Sequence, residues 1–157
     1  ILKQLEADIE ASRFEGLELP VKLKVHDSIF VPLAKWAMLI AGNYRCVQKD
    51  SVRPIKDAVH SDLAASREMY NWVVKLCVSL GANEADLVPF DKYANAALSL
   101  GSPSSAARAL ANGAPNIERV DLLVKTIAAQ KGMRSDVLDQ TVAMVEGWLE
   151  KNRKKAA

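Results

Sequence analysis

Between Ile29 and Tyr44 the chain is apolar almost throughout, and Lys35 is the only ionisable side chain between Val31 and Asn43. A helix that is apolar on nearly every side is stable only when other elements surround it. The segment therefore predicts a domain organised around one central helix. Asp27-Ser28 supplies its N-cap, and Pro32 is tolerated only in the first turn or as a kink. The run is also shorter than the ~18 residues of a membrane span.

The covering elements are legible as helical spacings. Leu2, Leu5 and Ile9 mark a first helix to about Ser12, with Gly16 as its stop. Ser51 to Leu80 reads as one long helix, because Ile55, Val59, Leu63, Tyr70, Val73, Cys77 and Leu80 recur at steps of three, four or seven before Gly81. Pro89 opens a helix through Phe90, Tyr93, Ala97 and Leu100, and a short one covers Ala106 to Ala111. Ile117, Val120, Val124 and Ile127 give the next, and Ser135 caps the last, with Leu138, Val142, Val145 and Leu149 on one face. Only Leu19 to Val25 alternates at period two, as an edge strand carrying Pro20 would. The expectation is a mostly all-α, single compact domain of about seven helices with one short edge strand. Residues 1–18 are expected to be a linker or the last helix of a preceding domain, and residues 19–157 the helical unit.

Composition narrows the function. The chain of 157 residues is 50% hydrophobic, enough for a core without metal or disulfide staples. Cys46 and Cys77 have neither C-x-x-C spacing nor a nearby His, so they read as small buried apolar residues in a reducing compartment. A net charge of +2 is too balanced for a protein that grips a phosphate backbone. The basic run Lys151-Asn152-Arg153-Lys154-Lys155 complements the dipole of a final helix. With no signal pattern and no span, a cytoplasmic protein with no nucleic-acid or membrane partner is expected.

The strong motif scans find no G-x-G-x-x-G, no P-loop, no H-E-x-x-H and no G-x-S-x-G. His26 and His60 have no acid at metal spacing and read as solvated. Lys35 either snorkels to the surface or is held in a partly desolvated cleft. Asn43, eight residues on, lies ~80° round and ~12 Å up an ideal helix, so both side chains could line one groove. The Gly101-Ser102-Pro103-Ser104-Ser105 stretch is a loop leading into a helix, with one serine serving as N-cap.

The string Asp27-Ser28-Ile29, Leu33-Ala34-Lys35 and Asn43 resembles the start of the helical C-terminal domain of the ketopantoate reductase (2-dehydropantoate 2-reductase) family, a 6-phosphogluconate dehydrogenase C-terminal-like fold. Asp27 to Lys35 and Lys35 to Asn43 keep the family spacing, while Leu39 replaces the family's middle Asn. Farther on, Ser104-Ser105-Ala106, Leu110, Gly113, Pro115 and Asn116 to Asp121 are similar to the family's second motif, and Lys131-Gly132-Met133 stands before the final helix. The resemblance spans about residues 19 to 150.

The resemblance implies that Lys35 is the catalytic lysine, Asn43 a substrate-binding asparagine, and Ser104 or Ser105 the substrate-contacting serine. For the family's Glu, alignment places Ile117 or Asn116, and Glu118 is the nearest carboxylate. Loss of the middle Asn and of a cleanly placed Glu points to a 2-keto or related carbonyl substrate other than ketopantoate. The implied chemistry is carbonyl reduction by NADPH, with Lys35 as proton donor. The NADP site would lie in an N-terminal Rossmann domain whose glycine fingerprint this chain lacks. Alone the chain would be inactive, and a homodimer is possible. A reading from another class is a helical dimerisation or protein-interaction module without chemistry, which Trp36, Trp72 and Trp148 could anchor.

Overall fold

A computed structural model describes residues 1–21, 23–25 and 30–156. The Asp27-Ser28 cap and His26 fall outside the described residues. Among the described residues eight α-helices dominate and the one sheet is a two-stranded ribbon, so the domain is all-α. The helices are α1 (Leu2–Ala11), α2 (Ala34–Met38), α3 (Ile55–His60), α4 (Leu63–Ser79), α5 (Phe90–Ala97), α6 (Ser105–Ala111), α7 (Val120–Gln130) and α8 (Asp136–Ala156).

The strand expected at Leu19 to Val25 is not there among the described residues. Its place is taken upstream by β1 (Arg13–Phe14) and β2 (Leu17–Glu18), paired antiparallel. Gly16 closes this hairpin rather than ending α1: Glu15 and Gly16 both have positive φ, at 52° and 80°, the two-residue turn whose twist matches a tight hairpin. None of the described residues before Phe30 is buried.

The central segment is helical from Val31 to Cys46 but not uniformly α. Pro32 sits in an opening 3₁₀ turn (Val31–Leu33), where its missing N–H costs nothing. The helix α2 follows, then a π turn over Leu39–Asn43 and a 3₁₀ turn over Tyr44–Cys46. Ala37, Ile40, Ala41, Gly42, Tyr44 and Cys46 are all buried, as a surrounded helix demands.

The π turn has a visible cause. The Tyr93 ring of α5 lies against Gly42, and its hydroxyl donates to the Met38 carbonyl at 3.2 Å. Two further carbonyls of the widened stretch take side-chain donors: Gly42 O from the Cys46 thiol at 3.5 Å and Asn43 O from Ser104 Oγ at 2.7 Å. Such insertions into the backbone ladder are what widen or kink a helix.

The single helix expected from Ser51 to Leu80 is two. Ser51 to Pro54 is non-helical and α3 starts after Pro54. The chain then breaks at Ser61-Asp62, where the Asp62 carboxylate accepts the Ala65 N–H at 2.9 Å and caps α4. The apolar rhythm runs through the break because both helices face the same core. His60 is not solvated: it is half-buried, with Nε2 2.9 Å from Ala94 O. Trp148 packs on the core and donates to Gln48 O at 2.8 Å, so core packing accounts for it. Both cysteines are free and buried.

All three tyrosines of the chain, Tyr44, Tyr70 and Tyr93, are buried. Burial pushes the phenols of Tyr44 and Tyr70 up to about 12, and that of Tyr93 up as well. The unfolded chain therefore ionises near pH 10 while the folded one cannot, so stability is full below pH 10 and falls as pH rises toward 12. In an alkaline titration, tyrosinate absorbance is expected to rise together with loss of the helical circular dichroism. Tyrosinate forming near pH 10 in a fully helical protein would contradict this burial.

Candidate functional site

The π turn sets one wall of a cavity of about 300 Å³. Leu39, Asn43 and Tyr44 come from the central segment, Ser105, Ala106 and Ala109 from α6, and Asn116, Ile117, Glu118 and Val120 from the stretch that enters α7. The floor is apolar, and the polar groups are an asparagine on one wall, a serine on the second, and Asn116 with Glu118 on the third. A small concave site with few convergent polar groups is the usual form of a small-molecule pocket.

Each wall is fixed by hydrogen bonds. The Tyr44 hydroxyl donates to Glu118 O and accepts from Val120 N at 3.0 Å, so one buried phenol pins the loop that carries Glu118. Behind that loop, Arg119 forms two bonds to Asp121, at 2.9 and 3.1 Å, and reaches Glu146 across to α8. Asp121 is fully buried, and this bidentate pairing is what makes a charge there tolerable. The Arg119 guanidinium also holds the Glu146 carboxyl below the usual carboxylate range.

The serines divide their work. Ser104 is 2% exposed, caps α6 by accepting Ala107 N–H at 3.2 Å, and donates to Asn43 O. It braces the site from behind. Ser105 is exposed and lines the cavity, as well as a neighbouring cavity of about 350 Å³ that also shares Asn43 and is bordered by Arg108.

Asn43, Ser105 and Glu118 thus meet in one place, and Asn116 and Ile117, the two residues the alternative alignments point to, line it too. Lys35 is exposed and does not line this cavity; it has no hydrogen-bond or ion-pair partner among the described residues. It does share the cavity's helix face. In a straight α-helix, Lys35 and Asn43 would be offset by about 80°. The π turn takes in nearly one more residue, which rotates Asn43 back until Lys35, Leu39 and Asn43 are close to one line.

Tyr44 was the contributor that motif reasoning passed over; its signal is a tyrosine at the end of an apolar helix, whose hydroxyl needs a partner once buried. A cavity of similar size among Trp72, Met133 and Leu138 gathers none of the candidate residues; of its three border charges, Lys125 and Asp139 pair at 2.8 Å and Arg134 is the third. Among the described residues, no three of His, Cys, Asp and Glu are grouped to hold a metal. No helix of the described residues is long and apolar enough to cross a membrane.

No family model matches this chain, and comparison with curated proteins and solved structures likewise finds no match.

Proposed function

We propose that this chain is the substrate-binding domain of a ketopantoate-reductase-like, NADP-dependent oxidoreductase acting on a small 2-keto or related carbonyl compound. The observation that carries the reading is the convergence of Asn43, Ser105 and Glu118, 75 positions apart at the extremes, on one apolar-floored cavity, with Lys35 two turns away on the same helix face.

The residues present do not fit NADP itself. The cavity is at the small end of ligand sites, and Glu118, its one charged wall residue, would repel a pyrophosphate. In this reading a nicotinamide held by another domain would supply the reducing equivalent. The work of this chain is to bind, orient and protonate. Asn43 and Ser105 hold the substrate by neutral hydrogen bonds, which fixes the reacting carbon in place. As negative charge builds on the carbonyl oxygen, the Lys35 ammonium donates a proton to it. Lys35 is exposed and has no partner among the described residues, so its side chain is not held away from the cavity by a bond.

A second reading has an observation of its own. The helix α1 buries none of its residues, and Leu2, Leu5, Phe14, Leu17 and Val21 are exposed apolar side chains. Such a surface suits a protein-interaction module, and a mass that rises with concentration in sedimentation would favour it.

Titration of the isotope-labelled chain with pyruvate separates the two. Saturable shifts centred on Asn43, Ser105 and Glu118 are expected. Ser105→Ala should weaken binding several-fold with an unchanged melting temperature, whereas Ser104→Ala should cost about 1 to 2 kcal/mol of stability through the lost cap. Shifts confined to α1 and the hairpin, or none, would contradict the substrate reading.

A further inference from the structure

Away from the cavity, two arginines lie close enough to act on one another. Arg45, just past the π turn, donates from Nη1 to Ser66 Oγ at 2.7 Å, and Ser66, fully buried, donates in turn to Val59 O at 2.8 Å. Arg53 donates from Nε to the Arg45 carbonyl at 3.1 Å and from Nη1 to Ser61 Oγ at 3.0 Å. Both side chains are half-buried. Neither forms an ion pair with a carboxylate among the described residues.

That arrangement is costly unless something offsets it. Like charges brought together at the edge of a core repel more strongly than in water. Burial and the neighbouring Arg53 charge both push the Arg45 pKa down. Asp62 and the Tyr93 phenol act on Arg45 in the opposite direction, and the Asp62 carboxylate is engaged with the first turn of α4. Ordinary packing would place a carboxylate between two such guanidiniums.

The groups are also pre-positioned. A guanidinium has five N–H donors; Arg45 gives one hydrogen bond to the protein and Arg53 two, so donors remain on both planes. Ser61 accepts from Arg53 and keeps its own proton to give. Four segments fix this cluster: the end of the central helix, the Val47 to Arg53 turn, the α3–α4 junction and the first turn of α4. Two guanidiniums and a hydroxyl around an exposed junction match a dianion with several acceptor oxygens better than a single carboxylate.

We propose that Arg45, Arg53 and the Ser61 hydroxyl form a binding site for the phosphate group of a small monoester. The site is independent of the carbonyl cavity and of the function assigned to it.

Titration of the labelled chain with inorganic phosphate and with methyl phosphate, at constant ionic strength, tests the assignment. Saturable shifts are expected at the Ser61, Asp62 and Ser66 amides and at the Arg53 Nε–H, with the two ligands binding within about three-fold of each other because the junction opens to solvent. Arg53→Gln should weaken binding by about ten-fold or more. Asp62→Asn, which keeps a good N-cap while removing the opposing charge, should tighten it about three-fold. A purely structural arginine pair would show neither change. Linear, non-saturating shifts, indifference to Arg53→Gln, or rejection of methyl phosphate would each overturn the proposal.

Discussion

Gly42→Ala is expected to be the most disruptive single-methyl change in this protein, costing about 3 kcal/mol or more and lowering the melting temperature by roughly 10 °C. A Cβ at this position would overlap the Tyr93 hydroxyl, and would lie 3.1 Å from Tyr93 Cζ and 3.3 Å from Val59 Cγ2. Neither the buried Tyr93 ring nor the central helix has room to withdraw. Tyr93→Phe removes the clashing oxygen and loses one hydrogen bond to Met38 O, worth about 1 kcal/mol. The double variant should therefore be more stable than the sum of the single effects by about 2 kcal/mol. Strict additivity in thermal or urea unfolding would show that the close approach of Tyr93 to Gly42 is not what shapes the π turn.

The second large effect concerns chemistry. In protein that carries a cofactor domain, Lys35→Met is expected to lower turnover by about 10²- to 10⁴-fold, the usual range for loss of a positioned general acid. Lys35 is exposed and has no partner among the described residues, so the change should leave folding and cofactor affinity nearly intact. Methionine keeps most of the apolar stem while removing the ammonium. If the substitution lowered the melting temperature in step with the rate, or left turnover unchanged, the lysine would not be the proton donor.

The parts of this fold legible in the sequence are those set by local chemistry. The apolar run around Lys35 demanded a buried central helix, Pro32 fixed its opening turn, and the serine at the head of α6 announced a cap, here Ser104. What stayed hidden depends on neighbours distant in sequence. The π turn exists because Tyr93, fifty-one residues beyond Gly42, presses on the helix. No propensity of Leu39 to Asn43 encodes that. The break at Ser61-Asp62 was masked because apolar spacing reports which side faces the core, and α3 and α4 share that side. The strand was misplaced for a related reason: alternation in Leu19 to Val25 mimicked a half-buried strand, while the Glu15-Gly16 turn upstream carried the real hairpin.

The candidate site shows the same division. Asn43, Ser105 and Glu118 were marked out by the family resemblance, but their convergence needed the Tyr44 hydroxyl to hold the Glu118 loop and the π turn to rotate Asn43 toward α6. The straight-helix estimate put Asn43 well round from Lys35; the wider turn brings the two onto one face.

Where a carbonyl ligand sits tests the assignment of Asn43, Ser105 and Lys35 most directly. In a crystal structure of the chain with bound pyruvate, the ligand is expected between Asn43 and Ser105, with its keto oxygen about 3 Å from Lys35 Nζ. Pyruvate in the Trp72 cavity, or beside Asn43 with the Lys35 ammonium turned away into solvent, would contradict it.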